Sequence, residues 1–290
     1  MYYLLIASLV WGLSFGLVKH VLVAAGMDPG FVALVRLALS ALVFLPLLRV
    51  RALNARRRWA LVALGAVQYG VMYVTYTYSF KTLPAHQVAL FTVFTPLFVT
   101  AIHDLAERRF HALFLLAAAL SVAGACVVAW TSVDIRAALT GILWLQVSNA
   151  SFAFGQVWYR RLMADCPEVG DAQVFGLLYV GGTVLAAVPA LFTVPWHDLQ
   201  VSTAQAWTLL YLGIVPSGLG FFLWNVGARC ANPGTLAVLN NAKIPLGMLL
   251  SLLVFGESAS LPALAAGGAL IALAVVLNER VGVRRGMGAA

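Results

Sequence analysis

Ten apolar stretches follow one another along this chain, at about 2–24, 30–49, 59–80, 84–103, 112–130, 139–160, 171–193, 205–228, 233–254 and 261–279. Each approaches the roughly 20 residues that a helix rising 1.5 Å per residue needs to cross a hydrocarbon layer about 30 Å thick. Lipid offers the backbone no hydrogen bonds, so a crossing segment must satisfy itself, and runs of this length do so as helices. At 62% hydrophobic and 10% charged residues, with a mean hydropathy of +0.94, the chain has too little polar surface for a water-soluble globule. The prediction is an all-α integral membrane protein with ten transmembrane helices.

Orientation follows from the gaps between the stretches. Arg49, Arg51, Arg56, Arg57 and Arg58, then Arg108 and Arg109, Arg160 and Arg161, Arg229, and Arg280, Arg284 and Arg285 all fall on alternate gaps and the tail; the opposite gaps hold Lys81 and Arg136. Cytoplasmic loops carry the Lys/Arg excess, so both termini are expected in the cytoplasm, in a multi-pass protein of the inner (plasma) membrane. The net charge of +8 is spread over these short loops, where contact with anionic lipid is a simpler account than nucleic acid. Cys126, Cys166 and Cys230 lack CxxC spacing and are expected as reduced thiols. The first stretch has no basic segment before it and carries Lys19 and His20 at its far end, which reads as a retained helix.

The two halves of the chain echo one another. Pro96 has a counterpart in Pro245, 149 positions later, and a Glu follows each, Glu107 and Glu257; SerPheGly at Ser14–Gly16 is matched by AlaPheGly at Ala153–Gly155, offset by 139. These matches suggest two copies of a five-helix unit, residues 1–133 and 134–290. Because five is odd, the copies enter the membrane with opposite polarity, an architecture of secondary transporters whose substrate site lies near the midplane. A proline inside a span breaks a backbone hydrogen bond, so Pro96 and Pro245 are candidate hinges.

The residues from Leu9 to Phe15 (LeuValTrpGlyLeuSerPhe), Arg36, the run TyrLeuGlyIleValProSer with LeuTrpAsn between Tyr211 and Asn225, and IlePro followed by PheGlyGlu at Glu257 resemble the EamA-type members of the drug/metabolite transporter superfamily. The resemblance extends from about Leu4 to Asn278. It implies a secondary carrier, commonly an exporter of amino acids or other small metabolites, with a central cavity lined by helices 1, 3, 4, 6, 8 and 9. One departure is the AsnAsnAlaLys at Asn240–Lys243, where the family usually has an apolar residue or Glu before the helix 9 proline.

Polar residues inside spans are costly unless paired or facing a wet cavity. Gln146, Asn149, Ala153, Gln156 and Arg160 recur on one face of helix 6, and Asn240, Lys243, Gly247 and Ser251 on one face of helix 9. They form either a cavity wall or a seam of interhelical hydrogen bonds. Lys243 lies near mid-span with no acid at comparable depth, which favours an anionic or zwitterionic ligand, or else capping by carbonyls freed at Pro245. Arg36 and Lys19 are expected to pair with Asp28 or to snorkel to the interface, and Asp104 and Glu107 to join Arg108 and Arg109 in an interfacial cluster.

These features predict a carrier for small carboxylate-bearing metabolites such as amino acids, an exporter as the family resemblance implies, with an uptake permease for organic anions or amines as the alternative. Lys243 anchors the carboxylate in this reading, Asn240, Asn149, Gln146 and Gln156 orient the ligand, and Trp11, Tyr76 and Trp224 contact the remainder. A coupled proton, surrounding lipid and a monomeric or homodimeric state are compatible with it. No HExxH, phosphate loop or nucleophile-base cluster points to a membrane enzyme, and no cofactor or metal site is expected. In a chain whose three cysteines are replaced by serine, Gln200→Cys should react with a membrane-impermeant maleimide on intact cells and Ala55→Cys only after permeabilisation. The reverse pattern would invert the assigned topology.

Overall fold

The computed structural model describes residues 2–83, 87–88, 91–110, 135–231, 235–236 and 238–241, with scattered positions in 112–123 and 262–276. Every regular element among the described residues is helical. Five helices among the described residues are long and apolar enough to cross a membrane: α1 (Tyr2–Val23), α2 (Pro29–Leu47), α3 (Ala55–Ser79), and, after two further helices, α6 (Asp171–Thr193) and α7 (Thr203–Cys230). Between them lie α4 (Thr95–Glu107) and the 30-residue α5 (Ile135–Ala164). These seven helices occupy the first four and the sixth to eighth apolar stretches. Most of the fifth, ninth and tenth stretches, with Lys243 and Pro245, lies outside the described residues.

Caps appear where the helices meet the interface. Asp28 opens α2, its Oδ1 accepting from the N–H groups of Gly30 at 2.8 Å and Phe31 at 3.3 Å, with Pro29 supplying the fixed φ of a first turn. Asn54 opens α3 by accepting from Arg57 N–H at 2.9 Å, and Ser202 with Gln205 forms a capping box at the start of α7. Asp28 is therefore committed to a helix start, and Lys19 does not pair with it. The Lys19 ammonium instead donates to the carbonyl oxygens of Phe80 at 3.0 Å and Leu83 at 3.4 Å, just past the C-terminus of α3. Lys81 is the cation near Asp28, at 4.0 Å.

Three helices widen into π turns inside the span: α1 at Leu17–Val23, α3 at Ala66–Val71 and α7 at Gly213–Gly220. A widened turn frees carbonyls that lipid cannot satisfy. In α7, Pro216 removes the N–H that would bind the Leu212 carbonyl, and the Ser217 hydroxyl donates there instead, at 2.6 Å. Ser40 donates to Gly213 O at 2.8 Å, the Trp11 indole to Pro216 O at 2.9 Å, and Tyr179 to the carbonyls of Ser217 and Gly218. The carbonyls of Gly213, Pro216, Ser217 and Gly218 thus become ties from α7 to α2, α1 and α6.

Close glycine contacts set the helix spacing. A Cβ at Gly65 of α3 would fall 2.0 Å from the Leu178 carbonyl oxygen of α6, and one at Gly213 of α7 would fall 2.7 Å from Leu39 of α2. Leu178 lies 139 positions after Leu39, and Gly213 lies 148 after Gly65, so the α3–α6 contact and the α2–α7 contact are made by residues at nearly the same separations as the repeated prolines and SerPheGly/AlaPheGly triplets. Gly65→Ala should lower stability by about 1–3 kcal/mol through overpacking, while Gly170→Ala, whose added methyl meets nothing nearer than 3.8 Å, should change it little. Thermal unfolding of the two purified variants measures the contrast.

Candidate functional site

A cavity of about 530 Å³, counted out to its mouth, lies among the helices and is lined by Trp11, Ser14, Phe15, Arg36, Met72, Tyr73, Tyr76, Thr92, Thr95, Ser148, Asn149, Phe152 and Phe221. Six of the helices contribute, together with the short turn before α4. On the side towards the arginine-rich ends of the helices, the floor is aromatic. Trp11 packs on Phe221 at 4.6 Å, on Trp224 at 4.9 Å and on Phe152 at 5.7 Å between ring centres, and all four rings are buried. Towards the opposite end stand Phe15 and Tyr76, 6.3 Å apart and only partly buried. The floor is the tighter seal. Beyond the Phe80 ring, which Tyr76 meets at 5.1 Å, a broad basin is lined by Lys19, Asp28, Lys81, Asp198 and Gln205.

Arg36 is the charged residue in this lining, and it neither snorkels nor pairs with Asp28. It is 2% exposed, two turns beyond Asp28 along α2, or about 12 Å at 1.5 Å per residue. Its Nε donates to Ser217 Oγ at 3.0 Å and its Nη2 to the Tyr73 hydroxyl at 3.3 Å, while the guanidinium lies 4.7 Å from the Tyr73 ring centre. Tyr73 in turn donates to Ser217 at 2.7 Å. Nη1 has no hydrogen-bond partner, and no carboxylate pairs with Arg36 among the described residues. A buried guanidinium held on two sides by neutral hydroxyls, with its third nitrogen unengaged at a cavity, is built to receive an anion.

Asn149 shares the cavity and has a structural task as well. Its Nδ2 donates to Phe91 O at 2.9 Å and to Gln146 Oε1 at 3.2 Å, and its Oδ1 accepts from Thr95 at 3.0 Å. These bonds secure the break in the fourth stretch, where a 3-10 turn at Thr92–Phe94 gives way to α4 with Pro96 in its first turn. Asn241 donates to Val93 O in the same break, at 3.1 Å. Pro96 thus sits in the first turn of α4, directly after the 3-10 turn.

Of the other residues singled out from sequence, Trp11 and Tyr76 also line the cavity, whereas Gln146, Gln156, Trp224 and Asn240 are absent from the described lining. Gln156, Trp224 and Asn240 are nevertheless buried. The signal that could have found Arg36 is its phase on α2, whose buried positions Val32, Ala33, Arg36, Leu37, Ser40, Ala41 and Phe44 form one face.

The arginine-rich end is tied by ion pairs. Glu107 meets Arg161 of α5 rather than Arg108 or Arg109, and Arg161 also donates to Ala106 O at 3.2 Å. Arg229 of α7 pairs with Asp171 of α6 at 2.6 Å, and Tyr159 of α5 donates to the same carboxylate at 2.7 Å. Cys166, in the connection between α5 and α6, is buried, and burial pushes its thiol up, which keeps it protonated and weakly reactive.

The sequence profile of the EamA-like transporter family matches residues 1–130 and 139–279. The chain is 41% identical to a probable biotin transporter of Pseudomonas aeruginosa over 282 residues, 96% of this chain and 97% of that protein. It is 35% identical to the biotin transporters of Salmonella typhimurium and Escherichia coli over 278 residues, 96% of this chain and 92% of theirs. A crystal structure with 19% identity superposes with a TM-score of 0.74, covering 95% of both chains, and supports the fold alone.

Proposed function

Since the chain belongs to the EamA-like transporter family, we propose that it is an inner-membrane secondary carrier for a small monocarboxylate built like biotin, which joins a carboxylate tail to a neutral cyclic urea. The observation that carries this reading is the unengaged Nη1 of buried Arg36 at the cavity wall. It would receive the carboxylate. Asn149, Thr95 and Ser148 offer polar contacts to the head, and Trp11, Phe152, Phe221 and Tyr76 offer apolar surface to the body.

An amino acid is a poorer fit to the described lining. Its ammonium would need a carboxylate or several free acceptors, and the described lining has no acid, while its guanidinium would repel a second cation. Monocarboxylate transport therefore replaces amino-acid export as the favoured reading, with the relatives' names as the second support. Those names specify no direction, and a carrier of this type runs in either direction as its gradients dictate. In the whole protein, residues 1–133 and 134–290 would be the two inverted copies, supported by the matched offsets of the α3–α6 and α2–α7 contacts. The apolar stretches that carry Pro96 and Pro245 would bend or rock about the midplane, with Lys243 and Asn240 as a second set of ligands.

Proteoliposome counterflow of labelled biotin tests the proposal. Arg36→Ala should reduce flux on the order of 10- to 100-fold, the value of a hydrogen bond to a charged group at about 1.5–3 kcal/mol. Arg36→Lys should recover part of it, because the charge remains but the fork geometry is lost. Unchanged flux in the folded alanine variant would remove Arg36 from the site.

A further inference from the structure

Beneath the aromatic floor lies a second polar layer. Gln68 stands one turn before the lining residue Met72 on α3, Gln156 one turn after Phe152 on α5, and Asn225 one turn after Phe221 on α7. All three are therefore displaced in the same direction, towards the arginine-rich end, by about 6 Å at 1.5 Å per residue. All three are at most 1% exposed. Gln68 donates to Asn225 Oδ1 at 3.1 Å, and Asn225 donates to Tyr69 at 2.7 Å. Gly155 makes room for this layer, since a Cβ there would lie 2.1 Å from the Gln68 side chain.

The layer is under-satisfied. Gln68 Oε1 and both Nε2 and Oε1 of Gln156 have no hydrogen-bond partner among the described residues, and neither does Trp224 Nε1. Each such group, buried and unpaired, costs stability that an apolar residue of the same size would not. Two carboxamides and an indole N–H present both donors and acceptors with no net charge. That set complements a neutral group having N–H beside C=O, whereas a carboxylate, which only accepts, would leave the Gln68 and Gln156 carbonyl oxygens unpaired and facing its charge. Arg36, by contrast, offers donors and charge.

We propose that Gln68, Gln156 and Trp224 form a second substrate subsite, selective for a cyclic urea or amide, which the ligand's head enters when the rings of Trp11, Phe152 and Phe221 part. This rests on the reading of the chain as a carrier of a biotin-like monocarboxylate and adds a second station on its path. The head passes from the cavity to the carboxamides before release at the arginine-rich end. The buried amides lower the cost of carrying a polar urea through an otherwise aromatic constriction.

The test compares two ligands and two steps. Binding to the protein in nanodiscs and counterflow in proteoliposomes are measured with biotin and with octanoate, a carboxylate that lacks the urea. Gln156→Met, close in volume and apolar, should leave biotin binding within about twofold, cut biotin counterflow on the order of tenfold, and leave octanoate counterflow unchanged. Gln68→Met provides the same comparison should Gln156→Met fail to fold. Wild-type biotin flux in the folded variants, an equal loss for both carboxylates, or a loss of biotin binding as large as that of Arg36→Ala would each overturn the subsite. If the wild type moves octanoate but neither binds nor moves biotin, the substrate reading itself falls and takes the subsite with it.

Discussion

A guanidinium inside the membrane, with no carboxylate beside it among the described residues, is the constraint around which the described helices are arranged. Leaving a cation uncompensated in a low dielectric costs several kcal/mol even after relaxation, so the surroundings must supply dipoles. Arg36 receives them from Tyr73 and Ser217. Ser217 can serve because Pro216 and the wide turn of α7 leave the Leu212 carbonyl for its own proton, so that its oxygen is turned towards Arg36 and Tyr73. The wide turn is held in its turn by Ser40, Trp11 and Tyr179. Charge on α2 and backbone irregularity on α7 are thus one device, and ligand binding at Nη1 would act on both.

The span pattern was legible in the chain because it depends on length and apolarity, which lipid reads directly. Seven described helices fall where the first four and the sixth to eighth stretches predict them. The cavity was only partly legible. Asn149, singled out by its helical phase, and Trp11 and Tyr76, aromatic residues on helices that the family resemblance places around the cavity, line it, but the mid-span Lys243 drew the anchoring role and left Arg36 among the interfacial cations. Distance along α2 would have corrected this, since a residue two turns inside the Asp28 cap is too deep to reach that carboxylate. The widened turns had no comparable signal: Pro216 marks one, but nothing in Ala66–Val71 announces that the helix loosens there.

The stripe on helix 6 shows why periodicity gives a face and not a function. Asn149, Gln156 and Arg160 share that face and end in three different settings. Asn149 both lines the cavity and secures the backbone break near Pro96, Gln156 is buried below the aromatic floor, and Arg160 donates to Ala231 O at 2.8 Å near the end of α7. Depth separates them. Depth depends on where each helix enters the membrane and how its turns are wound, and both are settled by tertiary packing.

The two ends of the described assembly resist opening by different means. Towards the end bearing Lys19 and Lys81, the cavity is covered by Phe15 and Tyr76, whose rings are 6.3 Å apart and partly exposed. Towards the arginine-rich end, a substrate would have to part four buried rings and then separate helices joined by Arg229–Asp171, Tyr159–Asp171 and Arg161–Glu107. Ion pairs at the interface exchange readily with water and cost little to break, whereas parting the rings exposes apolar surface at about 25 cal/mol per Å². The aromatic floor is therefore the larger barrier, and a ligand that fills the opened space with its own apolar body recovers part of that surface energy. A substrate joining an apolar body to polar ends would be suited to do this, and under the proposed function Arg36 would hold its carboxylate as the rings give way.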